Sequence, residues 1–539
     1  MRTTDALAAL EQPDVHRYHA ESIARLLRSG LNTRARAVVV SAPSPRRWNI
    51  LETYTPGEST LEVSFWLDKE QAPRALDQGP PSEDAEGSAA FRELWGEKAE
   101  LRRFKDGSIT ESVVWNVARP EERALITGMA AKWLLERHFG VTDVQWSAPL
   151  YLPLVQLPAS AHQAINVANS EKFGFKPAMD AFEAVYKLLK AADDDLPLTI
   201  LNFTAMSEQL RYTSVFVPHA VDLERMKSAP ECLHYIPAID VLMQFESSRR
   251  WPDDLVAIQK VKMAFMVKLA TLLQEAGHRA NVALEPNAPD IQDHAAVEVI
   301  ANGFAFRLRV YHDRERTLLE RMIEDADLGS EKLRAIAQQT YDLHVRRFTS
   351  SPRHHAAIST LHHTFPSYAS ACRLLKRWFS SHMLASHLPA EFIELFMASV
   401  YISPESFEPP CSAHTGLARA LQRLAKWNWR ETPILVPLYT LTSGLTAEVS
   451  KRPTFPESAQ ARAIKAFEDT RKVDRDYLKQ TMVIATEEDL LGKAWLRDGQ
   501  PSKLIASRVV MLAAAASDML VAGSTAIEVS IPDRPNNSR

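Results

Sequence analysis

Four histidines in "SSPRHHAAISTLHHTF", His354, His355, His362 and His363, belong to the residue type that most readily ligates transition metals. Neighbouring residues on a helix face about 100° apart, so at most one member of each pair shares a face with a member of the other. The stretch itself holds no carboxylate or thiol to complete a coordination shell, and no metal is expected there. A grip on phosphate is the second chemistry on offer. In "CRLLKRWFSSHML", Arg373, Lys376 and Arg377 fall around one helical turn with Trp378 beside them. Arg346, Arg347 and Arg353 stand upstream, and Arg249 and Arg250 precede Trp251. These clusters are candidates for contact with RNA or protein, against the alternative of solvated helix faces. A third stretch, "AELRRFKDGSITESVVW", sets Asp106-Gly107 between two runs of strand formers, which reads as the tip of a hairpin, with Asp106 forming the turn rather than acting as an acid.

These side chains need elements to hold them. "HRYHAESIARLLRSGL" has helical spacing, and "RAVVV" and "TLEVSFWL" read as strands. With the hairpin and the helix "EERALITGMAAKWLLERHFG" they close an α+β unit near Val144. The proline-bearing "SAPLYLPLVQLPAS" reads as a linker or edge segment. Next come the helix "PAMDAFEAVYKLLKAA" and strand candidates "LTILNF", "RYTSVFVP", "AIDVLMQFE" and "FAFRLRVY". They surround one long helix, "DLVAIQKVKMAFMVKLATLLQEAG", whose Val256, Val261, Phe265 and Leu269 mark a buried stripe. "GHRANVALEPNAPDIQDHAAVEVIANG" joins two strand candidates through a Pro- and Asp-rich insertion that is expected to be exposed and mobile. Beyond Leu328 the pattern is mostly helical, with two short strands in "ILVPLY" and "TMVIAT".

At 539 residues the chain exceeds what one core organises, and three domains are expected. Lys and Arg total 63 against 67 acids, so the net charge of -4 supplies no global pull towards a phosphate backbone, and nucleic-acid contact must come from local patches. Three cysteines, Cys232, Cys372 and Cys411, are too few and too scattered for a disulfide framework and read as buried thiols of a reducing compartment. No apolar run reaches the roughly 20 residues of a membrane span. The longest, "VVMLAAAASDMLVAG", is cut by Asp518, and the chain's first residues carry no signal-peptide core, so an intracellular protein without membrane contact is expected. Gly-x-Gly-x-x-Gly, P-loop, Gly-x-Ser-x-Gly and Cys-x-x-Cys motifs are absent, which weakens four common enzyme classes.

The stretch "GPPSEDAEGSAAFRELWGEKAELRRFKDGSITESVVW" closely resembles the signature of the Nrap family, the nucleolar RNA-associated proteins of the small-subunit processome. The resemblance continues through "LPLTILNFTAMSEQLRYTSVFVP", "RRWPDDLVAIQKVKMAF", "NGFAFRLRV" and "TMVIATEEDLLGKAWLRDGQPSKLIASRVVMLA". It implies an α+β multidomain architecture like that of fused class I CCA-adding enzymes. An α+β body domain over 1–155 is followed by a degenerate nucleotidyltransferase head over 156–327, a helical poly(A)-polymerase/OAS-like neck over 328–525, and the start of a last domain or a tail over 526–539. The first head and neck of the full family pattern would then be missing from this chain.

Nucleotidyl transfer needs two metal ions held by an Asp-x-Asp/Glu pair on one strand and a third acid on a neighbouring strand. "AIDVLMQFE" offers Asp240, but Leu242 stands where the second acid belongs. "NGFAFRLRV" offers Arg307 and Arg309 where the third is needed, and guanidinium groups repel a divalent cation. No Gly-Ser turn precedes these strands in "ILNFTAMSEQL". The expectation is a retained fold with no catalytic residues, no metal, no cofactor and no small-molecule substrate. The function implied by the resemblance is a scaffold in the nucleolus that supports 18S pre-rRNA processing. Its partners would be pre-rRNA, the small nucleolar ribonucleoprotein and proteins of the UTP-C subcomplex. The alternatives are an active template-independent RNA nucleotidyltransferase using Asp240, and a stand-alone RNA-binding protein.

Overall fold

The computed structural model describes residues 15–41, 61–117, 120–146, 154–155, 174–223, 227, 236–246, 248, 251–325, 331–404, 406–439 and 454–525. The chain forms two units. The first comprises residues up to 151 with 363–368 and 405–416; the second holds the rest.

In the first unit, α1 (Val15–Leu31) buries Ile23, Leu27 and Leu31 at helical spacing. Strands β1 (Ala35–Ser41) and β2 (Glu62–Leu67) pair as an antiparallel ribbon. Strands β3 (Leu76–Pro81), β4 (Glu100–Arg103) and β5 (Ile109–Val114) form an antiparallel sheet in the order β3-β5-β4. Helices α2 (Ala85–Trp95) and α3 (Ile126–Phe139) complete a core of Leu27, Trp95, Val113, Trp115, Ile126 and Leu134. β3 carries no strand signal in the sequence, because "DQGPP" holds turn residues; at the edge of a sheet prolines cost little. The hairpin expectation agrees with β4 and β5. Asp106 accepts bonds from the Ser108 N–H (3.0 Å) and hydroxyl (2.7 Å), and Gly107 takes a φ of 87°.

An ion pair sits inside this unit. The fully buried Arg34 donates to Asp77 through Nε (3.0 Å) and Nη2 (2.8 Å), and to the Ala72 and Arg74 carbonyls (2.7 Å each); Asp77 also accepts from the Trp115 indole (2.8 Å). Asp77→Ala would leave a buried guanidinium without its counter-charge. It should destabilise the unit by about 3–5 kcal/mol, read as an earlier urea midpoint.

The second unit is built on a five-stranded sheet of order β6-β7-β10-β9-β8. Its strands are β6 (Ile200–Ala205), β7 (Ile239–Phe245), β8 (Arg279–Leu284), β9 (Ala295–Ala301) and β10 (Phe304–Tyr311). β7 and β10 run parallel and the other pairs antiparallel. Alternation divides the sheet into two faces. Val241, Met243, Val297, Val299, Phe306 and Leu308 pack into one core with helices α4 (Phe175–Ala191) and α5 (Leu255–Glu275). The intervening residues, Asp240, Leu242, Glu298, Arg307 and Arg309, belong to the opposite face.

Three expectations are corrected here. "RYTSVFVP" is not a strand: Glu208–Arg211 is a 3-10 turn, and the following backbone gives its Thr213 carbonyl to Lys376 instead of to a ladder. The two strand candidates of "GHRANVALEPNAPDIQDHAAVEVIANG" are β8 and β9, with Ala295, Val297, Val299 and Ala301 alternating into the core, but the insertion between them is not exposed throughout, since its Asp293 is buried. The buried stripe of α5 runs through Leu255, Ile258, Phe265, Met266 and Leu269 and includes Lys262, while Val256 and Val261 are half-buried.

The helices that follow are α6 (Asp313–Glu324), α7 (Glu331–Val345), α8 (Ser351–Thr364), α9 (Tyr368–Ser381), α10 (Ala390–Ile402), α11 (Ala413–Lys426), α12 (Glu457–Val473) and α13 (Lys503–Thr525). Strands β11 (Ile434–Leu435) and β12 (Ile484–Ala485) shrink to two residues each. A π-helical turn, Arg346–Ser350, joins α7 to α8. Helix α10 is buried from Phe392 to Ile402. Helix α13 is longer than the apolar run noted in the sequence; by length and composition alone it could cross a bilayer, with Asp518 inside it and Leu504, Met511 and Met519 exposed. Cys372 is buried and Cys411 half-buried, both as thiols rather than disulfides; Cys232 lies outside the described residues.

Candidate functional site

The parallel register of β7 and β10 sets Arg307 beside Asp240 and Arg309 beside Leu242. The four positions weighed in the sequence for two-metal chemistry thus lie side by side on neighbouring strands, and one of them, Asp240, is an acid. Asp240 is 3.8 Å from the Arg307 guanidinium, which also grips Glu298 on β9 at 2.8 Å. The Asp240 N–H donates to the Ser207 hydroxyl (2.7 Å), tying the turn after β6 to β7. The Asp240 side chain keeps 41% of its surface, yet the surrounding walls desolvate its carboxyl and raise it above its ordinary value, against the pull of Arg307, Arg309 and Arg347. Leu242 is buried against Met206 and Phe348, with Tyr311 packed alongside. Phe348 comes from the π turn, so an apolar side chain of the helical part covers Leu242.

Arg309 is buried and bonded to Glu285 (2.5 Å) and Asp293 (3.4 Å), and Arg347 reaches the same two acids at 2.8 and 3.2 Å. Lys262 joins them from α5, at 2.9 Å from Asp293 and 2.8 Å from Glu315. Burial works against both carboxyls. Three cations outweigh it at Asp293, which is held low, whereas Glu315, with Lys262 and the Gln259 amide, is pushed up. Burial and the Lys262 charge hold His344 down to about 3, so it is neutral.

A second ionic cluster joins the sheet domain to the helices. Glu394, fully buried on α10, accepts from Arg211 Nε (3.0 Å), the Thr213 hydroxyl (2.5 Å), Lys376 Nζ (2.6 Å) and His354 Nε2 (2.6 Å). Burial would raise its carboxyl, but Arg211 and Lys376, helped by His354, drive it well below its ordinary value. Lys376 spends its remaining bonds on Glu208 (2.5 Å) and the Thr213 carbonyl (3.0 Å).

The expected phosphate grip on α9 is therefore corrected. Lys376 faces inwards, and Arg373 is buried with its guanidinium on the Ser214 (3.0 Å) and Val155 (3.2 Å) carbonyls. Neither is open to a polyanion. Arg377 alone of the three is exposed, over the Phe216 ring. Arg346 and Arg347 are half-buried; Arg249 and Arg250 lie outside the described residues. In the histidine stretch, where no metal is expected, His354 bonds a carboxylate from outside the stretch, Glu394 of α10. His362 stacks on Tyr212 at 4.2 Å. Among the described residues no three His, Cys, Asp or Glu side chains converge as a metal-holding set.

Glu394, Lys262, Asp293 and Glu285 were missed at the sequence level. A signal existed for two of them. Glu394 interrupts the apolar "FIELFMASVYI", and Lys262 falls four residues after Ile258 and three before Phe265, on the apolar face of α5; a charge at such a position is buried only when paired.

Between the polar face of the sheet and helices α7, α8 and α10 lies a cleft of about 540 Å³, whose walls include Ser207, Asp240, Arg307, Arg346, Arg347 and Glu391. A mixed sheet backed by two helices, with a cleft walled on its other side by a helical domain, defines the class: a nucleotidyltransferase-type head joined to a polymerase-type helical domain. Three successive family models match the chain: Nrap protein domain 3 over 2–140, Nrap protein nucleotidyltransferase domain 4 over 153–363, and Nrap protein PAP/OAS1-like domain 5 over 365–531. The chain belongs to the Nrap family. The U3 small nucleolar RNA-associated protein 22 of Schizosaccharomyces pombe is 34% identical over 468 residues, covering 86% of this chain and 39% of that protein. The Nucleolar protein 6 of Homo sapiens is 29% identical over 514 residues, covering 92% and 41%. The chain thus spans about two fifths of the length of these relatives. Among solved structures, the Cid1 poly(U) polymerase bound to MgATP matches at 11% identity and a TM-score of 0.35, over 69% of this chain and 95% of that one. The mtPAP complex with CTP matches at 11% and 0.31, over 84% and 92%.

Proposed function

We propose that this chain is a non-catalytic scaffold of ribosome biogenesis that works in the nucleolus. On this reading it helps assemble the small-subunit processome and supports 18S pre-rRNA processing, in contact with pre-rRNA, the small nucleolar ribonucleoprotein and UTP-C subcomplex proteins. The names of the relatives, a U3 small nucleolar RNA-associated protein and a nucleolar protein, support the place and the RNA association. The observation that carries the non-catalytic part is the pairing of β7 with β10. It sets Leu242, under Phe348, and Arg307, 3.8 Å from Asp240 and bonded to Glu298, where metal-binding carboxylates would be required. A cation already inside the acid cluster opposes a divalent ion by charge as well as by position.

Purified protein incubated with an RNA primer, magnesium or manganese and labelled ATP or CTP should show no incorporation. Incorporation that disappears in Asp240→Ala would establish the nucleotidyltransferase alternative instead.

A further inference from the structure

Each acid lining the cleft already has a cation within reach. Glu208 has Lys376 at 2.5 Å, Asp240 has Arg307 at 3.8 Å, Glu285 has Arg309 at 2.5 Å and Arg347 at 2.8 Å, and Glu391 has Arg211 at 3.5 Å. Arg346 differs. Its Nε donates to the Ala494 carbonyl at 2.7 Å, and among the described residues no carboxylate comes within ion-pair distance of it. Burial and the neighbouring Arg497 charge lower its pKa, while Asp342 and Glu391 oppose them from beyond contact. A half-buried guanidinium with no counter-ion and a like charge nearby is an electrostatic deficit that an anion would fill.

The backbone presents this group. The π turn Arg346–Ser350 interrupts an otherwise continuous helix, and Arg346 and Arg347, at its start, both line the cleft. The cleft is of ligand size and open to solvent. None of the described residues lining it is aromatic, so it offers no platform on which a base could stack. Asp240 and Glu391 on its walls would repel a long polyphosphate.

We infer that the cleft binds a single phosphate oxyanion at Arg346, without a metal ion. The planar guanidinium fork matches two phosphate oxygens at once. The phosphate could be a backbone group of RNA or a free phosphate, and the chemistry at Arg346 is the same for both. The inference rests on the scaffold reading, since it gives the cleft an occupant that needs no divalent ion.

The test uses the full chain in EDTA, titrated with inorganic phosphate by calorimetry and with a labelled oligoribonucleotide by fluorescence anisotropy. Arg346→Gln should weaken phosphate binding by roughly tenfold or more, the loss expected for a charged hydrogen-bonded contact. Arg346→Lys keeps the charge without the fork and should fall in between. Lys268→Gln, which removes an exposed charge on α5, should stay within about twofold of the wild type. If RNA is the source, inorganic phosphate competes with the oligonucleotide, and Arg346→Gln reduces the salt slope of RNA binding by about one. RNA binding indifferent to both, with phosphate binding still lost, assigns the site to a free phosphate. Phosphate affinity equal in wild type and Arg346→Gln, no phosphate binding by the wild type, or binding only when magnesium is added would each overturn the inference. Nucleotide incorporation is a separate readout, so the scaffold reading and the phosphate site stand or fall apart.

Discussion

Glu394→Ala should lower the thermal midpoint of the chain by roughly 6–15 °C, the consequence of a loss of about 3–5 kcal/mol when one partner of a buried ionic cluster is removed. The substitution leaves Arg211 and Lys376 buried with one fewer acid between them and takes His354 and Thr213 from their acceptor. Arg211 and Thr213 belong to the sheet domain, and Lys376 to α9. The loss should therefore appear as loosening where sheet and helices meet, read as faster amide exchange over 206–214 and in α10. Glu394 also makes the effect pH-dependent. Its carboxyl is held well below the ordinary value of 4.5, so its stabilisation is complete above that pH and disappears as the pH falls towards the depressed folded value. Glu394→Gln should flatten the acid limb of the stability profile below about pH 4.5 and change its slope little at neutral pH. An acid limb as steep as that of the wild type would mean that the carboxylate is not the hub described.

Leu242→Asp carries the second large effect. It removes a side chain packed against Met206 and Phe348 and places a carboxylate on a face where Arg309 is already bonded to Glu285 and Asp293. The expected cost is about 3–5 kcal/mol, from lost packing together with a poorly paired buried charge. Joining it to Arg307→Asp sets acids at 240, 242 and 307 on adjacent parallel strands, the arrangement that two-metal chemistry requires. Manganese should then stabilise the double variant, by about 2.7 kcal/mol at a hundredfold excess over its dissociation constant, and leave the wild-type midpoint unmoved. A double variant indifferent to manganese would show that the strand positions themselves, and not only their side chains, have departed from a metal-binding geometry.

The hairpin at Asp106, strands β6, β7 and β10 and the long helix α5 were legible because period and turn chemistry are local signals. Asp240, Leu242, Arg307 and Arg309 were legible as a set because they fall on two strands whose alternation fixes which residues share a face. What the sequence hid depends on residues far apart in the chain. Lys376 and Arg373 read as a solvated cationic stripe until Glu394, Thr213 and the Ser214 carbonyl are placed around them. Asp293 read as part of an exposed loop because Lys262, Arg309 and Arg347 come from three other elements. The π turn at Arg346 left no trace in the apolar period, since one extra residue displaces the following turn without breaking the helix.

The proposed scaffold role rests on guanidinium groups, Arg307 and Arg309, standing in the cleft at strand positions where two-metal chemistry would need acids. Titrating the wild-type chain with manganese, with the free ion followed by electron paramagnetic resonance, tests it most directly. No stoichiometric binding tighter than millimolar is expected. One or two ions held per chain and released by Asp240→Ala would contradict it.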